Sequence, residues 1–469
     1  MYKHFDTRKR LIRRIIAYVF MLLAIIVGVA AATIWIMGYR FDMEQRTIDR
    51  ISLVQFQTVP AGAQIYVNDN RLGFLTPGRD DGVRPGANTI RFSLDGYRNW
   101  QKTVNLKPAE VRWLTYARLV PDEITTDVVA DFTGFHQATS SPNGNWILLH
   151  QSPEVNSFKL IDISDPRNVR IGDLVIPDSA TPGIEIGTFS VIEWDSSSNY
   201  ILVQRTIGDV SEVIYLDRRD ATNSLNLTRL FNTTIRSARF STVNNRVVFG
   251  LTGDGDLRRF EINSKTMSAP LLSGVSTFDI YGDGKLSYVS VTDSKQTAGI
   301  HHRDQTYQLM EYTDTKPTLV AFVHYYRTDY FVVARGTNLT IIAEPLGRDP
   351  SEKISVEVPN GMAWLSYNNS GRFVMVGQGE NVVSYDLETN ESFAFDIPGL
   401  TSRPKWIDDY HVYCVHENNL VMMEFDGANR EVLVPATNFG VFSANNRFLL
   451  SFLLGETGVS FQRSSMIIE

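Results

Sequence analysis

ATSSPNGNWILL (138–149), IEWDSSSNYILV (192–203), ARFSTVNNRVVF (238–249) and GVFSANNRFLLS (440–451) share one pattern. A strand end leads into a short polar turn, and an apolar run follows. FDIYGDGKLSYV (278–289), FVHYYRTDYFVV (322–333), WLSYNNSGRFVM (364–375) and PKWIDDYHVYCV (404–415) repeat it less strictly. The copies recur roughly every 36–55 residues, close to the period of propeller blades. The run after each turn is apolar at successive positions, as in Ile147-Leu148-Leu149, Val247-Val248-Phe249 and Phe331-Val332-Val333. A strand with one wet face would alternate, whereas a strand sandwiched between two other sheets loses its polar face. Third strands follow in FKLID, VIYLD, VVSYD and VMMEFD, after which Asp162, Asp217, Asp386 and Asp426 open turns. About 43 residues per copy leaves room for four short strands.

The expected fold class is therefore all-β: an eight-bladed β-propeller over residues 122–469. A seven-bladed ring is the alternative, because the fifth copy is the least regular. The last copy has three strands and then the chain stops, while ITTDVVADF (124–132) precedes the first copy and has no other home. Pairing the two would close the ring and remove an open sheet edge. The pattern resembles the WD40-like, TolB-type propeller, whose blades carry S-P-D-G before the second strand. Ser141-Pro142-Asn143-Gly144 is the nearest copy of that signature. The resemblance speaks to fold rather than function.

Toward the N-terminus the character changes twice. Residues 1–14 hold Lys3, Arg8, Lys9, Arg10, Arg13 and Arg14 against Asp6, a net +5 that leaves the rest of the chain at −12. An acidic body argues against a nucleic-acid partner. From 15 to 38 no residue is charged, and a helix of that length reaches roughly 36 Å, enough to cross a hydrocarbon core. The reading is a single transmembrane helix over 15–38 that engages the lipid bilayer. The basic tail stays in the cytoplasm and everything after Gly38 lies outside it. Tyr18 would sit near the inner interface, with Trp35 and Tyr39 near the outer one. A cleaved signal peptide ending near Ala30-Ala31-Ala32 is the rival, but the apolar run outlasts the usual h-region of about 7–15 residues. Residues 39–50 are read as a juxtamembrane linker.

Between 51 and 120, AQIYV, TIRFSL and TVNL alternate apolar and polar residues, the mark of half-buried antiparallel strands. Asn68-Asp69-Asn70, Pro85-Gly86 and Asp95-Gly96 supply turns. The expectation is a small β-sandwich. VPAGAQIYVNDNRLGFLTP followed by RPGANTIRFSLDGYRNWQKTVNL resembles the PEGA domain, with Pro60-Ala61-Gly62-Ala63 at the name-giving tetrapeptide. Position 61 is Ala where the motif has Glu. The resemblance implies a stalk or adhesion module without catalysis.

One cysteine, Cys414, excludes an intramolecular disulfide, and its apolar strand context reads as core packing. The sequence holds no G-x-S-x-G, H-E-x-x-H, Walker loop or zinc-type Cys/His spacing, so no catalytic, cofactor or metal residue is assigned. Gly253-Asp254-Gly255-Asp256 reads as a hairpin turn. His301 and His302 are adjacent and would face opposite sides of a strand. Trp194, Phe240, Trp406 and Phe442 occupy one place in four repeats, just before the polar turn. They are the ligand-facing candidates, although recurrence in every blade also suits packing between blades. The expected function is a membrane-anchored binding or scaffold protein that presents its propeller to an envelope protein or glycan. The alternatives are a propeller glycosidase or lyase with carboxylates at the channel mouth, or a purely structural envelope assembly factor.

Overall fold

The structure is a computed structural model. It describes residues 7–36, 39–42, 47–183, 187–347, 353–400 and 403–468. The chain divides into two compact units, Met1–Asp122 and Glu123–Glu469.

The first unit begins with the helix Thr7–Ile36. It starts earlier than the uncharged stretch because Arg and Lys are good helix formers and extend it through the basic segment. Within it, Leu11–Thr33 is long and apolar enough to cross a membrane, and none of that stretch is buried against protein. Residues 1–6 and the side chains of Trp35 and Tyr39 lie outside the described residues. The segment read as a linker contains an antiparallel pair, Tyr39–Asp42 with Thr47–Arg50.

Two sheets follow. In the first, Ser52–Val59 lies between Gly78–Val83, to which it is antiparallel, and Val111–Arg118, to which it is parallel. In the second, the order is Asn70–Leu75, Gln64–Val67, Gly86–Ser93, Trp100–Leu106. Alternation does what period two requires: Val54 and Phe56 turn inward from one sheet, Ile65, Ile90 and Phe92 from the other, into one shared core. There Phe92 stacks on Trp100 at 4.8 Å and meets Phe56 edge-on at 5.9 Å. The Pro-Ala-Gly-Ala segment is fastened to Thr76. Gly62 N–H donates to the Thr76 carbonyl, Thr76 N–H to the Ala63 carbonyl, and Ala63 N–H to Thr76 Oγ1. Asn68 and Asp69 adopt left-handed φ values of 49° and 63°, as a tight hairpin demands.

The second unit is a β-propeller. Among the described residues it holds eight four-stranded antiparallel sheets. Seven are made of four consecutive strands in chain order; the first is Gln137–Ser140, Trp146–His150, Ser157–Asp162 and Arg170–Val175. Fourth strands vary in length: Leu225–Asn226 and Thr266–Met267 are two residues long, whereas Gln305–Tyr312 has eight. Cores form between successive sheets. Leu148 and Phe158 of the first sheet pack with Phe189, Trp194 and Ile201 of the second. Cys414 is buried in such a layer between the sixth and seventh sheets. The irregular fifth copy is a complete sheet. Its first two strands, Thr318–Tyr325 and Thr328–Arg335, join through the two-residue turn Tyr326-Arg327, so the longer polar turn of the other copies is missing.

Four of the polar turns share one device that the degraded signature conceals. The first turn residue accepts a hydrogen bond from the backbone N–H five positions on, where the second strand begins. Ser141 Oγ accepts from Trp146, Asp195 Oδ1 from Tyr200, Asn368 Oδ1 from Phe373 and Ser443 Oγ from Phe448. Ser, Asp and Asn all carry a short side-chain acceptor, so the chemistry persists while the letters change. At the other end of each third strand, Asp162, Asp217, Asp386 and Asp426 accept from the N–H two residues on.

The eighth sheet contains Gly440–Phe442, Phe448–Leu454 and Val459–Ser465, and its fourth strand is Thr126–Phe132 from the start of the unit. The pairing is antiparallel, from Thr126 opposite Ser464 to Phe132 opposite Val459, with a shift in register between Val128 and Ala130. Side chains reinforce it. Thr126 Oγ1 and Ser464 Oγ lie 2.8 Å apart, Ser460 Oγ donates to Asp131 at 2.6 Å, and Arg463 reaches Asp127 at 3.0 Å. A fragment of residues 123–469 is expected to unfold cooperatively as a soluble monomer. A fragment of residues 135–469 leaves the edge of Val459–Ser465 bare and is expected to aggregate or melt at least several degrees lower. Equal melting temperatures in a thermal scan would contradict the closure.

Candidate functional site

The first strands of the sheets gather around the propeller axis. A cavity of about 560 Å³ opens there, with walls from five sheets: Arg239 from the third, Asp279 from the fourth, Leu319 from the fifth, Tyr367 from the sixth and Trp406 from the seventh. Tyr367 Oη donates to Asp279 Oδ2 at 3.1 Å, a contact that skips the fifth sheet. Such a reach is possible only where first strands converge.

Along these strands, neighbouring residues turn to opposite sides. Trp194 turns to the preceding sheet, where its Nε1–H donates to Thr139 Oγ1 at 2.9 Å. Glu193 turns to the following sheet and Arg239. Phe240 packs edge-on against Tyr215 of the preceding sheet, while Arg239 beside it bridges Glu193 and Asp279, each at 2.8 Å. Trp406 stacks over Phe373 of the preceding sheet, while Lys405 donates to the Asn438 carbonyl at 2.8 Å. Trp194, Phe240 and Trp406 thus serve as wedges between sheets, and the residue before each of these three, Glu193, Arg239 or Lys405, carries the polar chemistry.

Of the four aromatic candidates, Trp194, Phe240 and Phe442 are buried; only Trp406 lines the axial cavity. The functional groups that sequence reasoning missed are Glu193, Arg239, Asp279 and Lys405. Alternation could have found them: once the aromatics are assigned to packing, the preceding positions fall on the other side of each strand.

The cavity has two electrical sides. On one, Arg239 is held by two carboxylates, and one of these, Asp279, also accepts from Tyr367. Burial opposes its charge, but Asp279 and Glu193 more than restore it. Solvent still reaches 39 % of the Arg239 side chain, so this is a walled channel rather than a sealed core. Burial pushes the Glu193 carboxyl above the usual carboxylate range against the pull of Arg239, and it pushes the Tyr367 phenol up as well. Asp279 lines the cavity and Glu193 is joined to it through Arg239, so both carboxylates are engaged with one guanidinium.

On the other side stand Lys405 and Arg403. Neither has a carboxylate partner among the described residues. Burial, with Arg403 nearby, lowers the Lys405 pKa, the signature of a cation short of counter-charge. Trp364, Ser366 and Trp406 complete this wall. Ser366 Oγ and Trp406 Nε1 are shut off from solvent and meet no hydrogen-bond partner among the described residues. Leaving such a donor unpaired costs about 1–3 kcal/mol.

Two other hollows are already internally satisfied. A groove of about 770 Å³ runs along the closing strand, where Lys159 pairs with Asp173, Gln151 with Thr133 and Ser460 with Asp131. A groove of about 360 Å³ between the third and fourth sheets holds His301, bonded to Thr306 Oγ1, and His302, 3.6 Å from Asp283. Gly253–Asp256 is a hairpin turn between Val247–Thr252 and Leu257–Glu261, with Gly255 at φ 84°. Among the described residues, no group of three or more His, Cys, Asp or Glu could hold a metal.

Trp194→Ala is expected to cost about 3–5 kcal/mol in chemical denaturation, by opening a cavity and orphaning Thr139. Trp406→Ala, half-buried at the cavity wall, is expected to cost clearly less. An equal or larger loss at Trp406 would assign it to packing alone.

The PEGA domain model matches residues 52–120. No curated protein sequence matches the chain. Three solved structures are among those similar to this chain. The dihydro-heme d1 dehydrogenase NirN in complex with DHE aligns with a TM-score of 0.44 and 9 % identity, over 64 % of this chain and 67 % of its own. The Myceliophteria thermophila Cps50 (Swd1) β-propeller domain aligns with a TM-score of 0.39 and 13 % identity, over 73 % and 100 %. An oligogalacturonate lyase in complex with manganese aligns with a TM-score of 0.41 and 9 % identity, over 73 % and 96 %. Their ligands and reactions are their own. What this chain combines is an N-terminal apolar helix, a PEGA domain at 52–120 and a β-propeller.

Proposed function

We propose that this chain is a membrane-anchored binding or scaffold protein of the cell envelope. In this reading the eight sheets form an eight-bladed ring, the PEGA domain is a small sandwich that follows the helix in the chain, and the axial cavity receives the ligand. The observation that carries the anchor is the bare helix surface. Leu11–Thr33 has nothing packed on it, and an apolar surface of that size finds its proper solvent in lipid. The excess of Lys and Arg before it favours a cytoplasmic N-terminus. PEGA and propeller together suit an extracytoplasmic module, facing an envelope protein or glycan.

A glycosidase or lyase is the second reading, supported by the convergence of Glu193 and Asp279. It is the weaker one, because Arg239 occupies both carboxylates and leaves neither free as a base.

Protease added to spheroplasts is expected to remove the propeller and spare an N-terminal epitope tag, read by immunoblot. Full protection of the propeller would reverse the orientation. A mature protein beginning near Thr33 would replace the anchor with a cleaved signal.

A further inference from the structure

The axial cavity is asymmetric in a way that selects a ligand. Its seventh-sheet side offers two cations, Lys405 and Arg403, with no carboxylate partner among the described residues. Its opposite side offers the Asp279 carboxylate, which Arg239 bridges to Glu193. Trp364, Tyr367 and Trp406 add aromatic side chains to its lining. We propose that this cavity is a binding site for an acidic saccharide, a hexuronic acid unit whose carboxylate meets Lys405 and Arg403. The proposal deepens the binding reading above and specifies its ligand class.

Each component answers to one feature of such a ring. A carboxylate supplies the counter-charge that Lys405 and Arg403 lack, and its bond to a desolvated ammonium is stronger than one made in open water. The apolar C–H face of a pyranose packs on indole and phenol rings. Sugar hydroxyls both donate and accept, so they can use Asp279 and Arg239 together, and Ser366 can turn about χ1 to give its unpaired hydroxyl. A bare inorganic anion has no use for the carboxylate side or the rings. A neutral sugar leaves the two cations unpaired. At about 560 Å³ the cavity falls in the ordinary range for small-ligand sites.

The test is isothermal titration of the full chain in detergent with a glucuronate-containing disaccharide, and with the neutral disaccharide of the same linkage. The acidic sugar is expected to bind at least tenfold more tightly than the neutral one. Lys405→Gln and Arg403→Gln are each expected to weaken it at least fivefold, and Arg403 is exposed enough that its replacement leaves the melting temperature in place. Inorganic phosphate and a peptide with a free C-terminal carboxylate are the competitors. Failure of the acidic sugar to bind at millimolar concentration overturns the proposal. So does equal binding of the neutral sugar, unchanged affinity in both variants, or displacement by phosphate at matched concentration. Preferential binding of the peptide overturns it in favour of a protein partner. The titration does not depend on where the chain resides, so it fails separately from the membrane-anchor reading, which spheroplast proteolysis decides.

Discussion

Every sheet of the propeller is apolar on both faces, and that constraint governs the rest of the second unit. A sheet of this kind needs a neighbour on each side, and a row of them would leave two bare ends. The pairing of Thr126–Phe132 with Val459–Ser465 removes both ends at once by making the eighth sheet from the two extremities of the unit. The contact joins residues more than 300 positions apart, as in the Thr126–Ser464 hydroxyl pair. Forming it costs loop-closure entropy that grows only slowly with length, while what it protects is an entire inter-sheet layer, with Phe439, Phe452 and Phe461 packed against Ile147 and Leu149.

Closure also makes the site. First strands converge on an axis only when the sheets surround it, and the Tyr367–Asp279 bond exists because they do. The Glu193–Arg239–Asp279–Tyr367 chain then ties the second, third, fourth and sixth sheets together across the channel. Ion pairs of this kind contribute modestly to stability, because the stronger attraction where walls exclude water is offset by the cost of desolvating the charges. Here they fix the shape of one side of the cavity and leave the Lys405 side electrically open.

Much of the architecture was legible because it rests on patterns that the sequence must display. Two-sided burial forces runs such as Val247-Val248-Phe249, and one-sided burial forces the alternation of Thr89-Ile90-Arg91-Phe92. The home of Thr126–Phe132 could be inferred because an unpaired strand and an incomplete sheet imply each other. Turn chemistry was only half legible. Ser141, Asp195, Asn368 and Ser443 look unrelated as letters, yet each places an acceptor opposite the same N–H. The site was the least legible part. Trp194, Phe240, Trp406 and Phe442 stand out because packing repeats, and for that reason repetition points to structure. Glu193, Arg239, Asp279 and Lys405 differ from sheet to sheet, so they form no motif and meet only in three dimensions.

The closing strand is the claim on which the cavity, the inter-sheet layers and the reading of the repeats all rest. Amide hydrogen exchange of residues 123–469, followed by mass spectrometry through a denaturant series, addresses it most directly. If the chain ends close the ring, peptides covering 126–132 and 459–465 exchange together, and only through the same large-scale opening that exposes the second strands of the neighbouring sheets. If peptides covering 126–132 exchange at the rate of an unstructured chain while 459–465 stays protected, the ring is not closed by its ends, and the account of the fold is wrong.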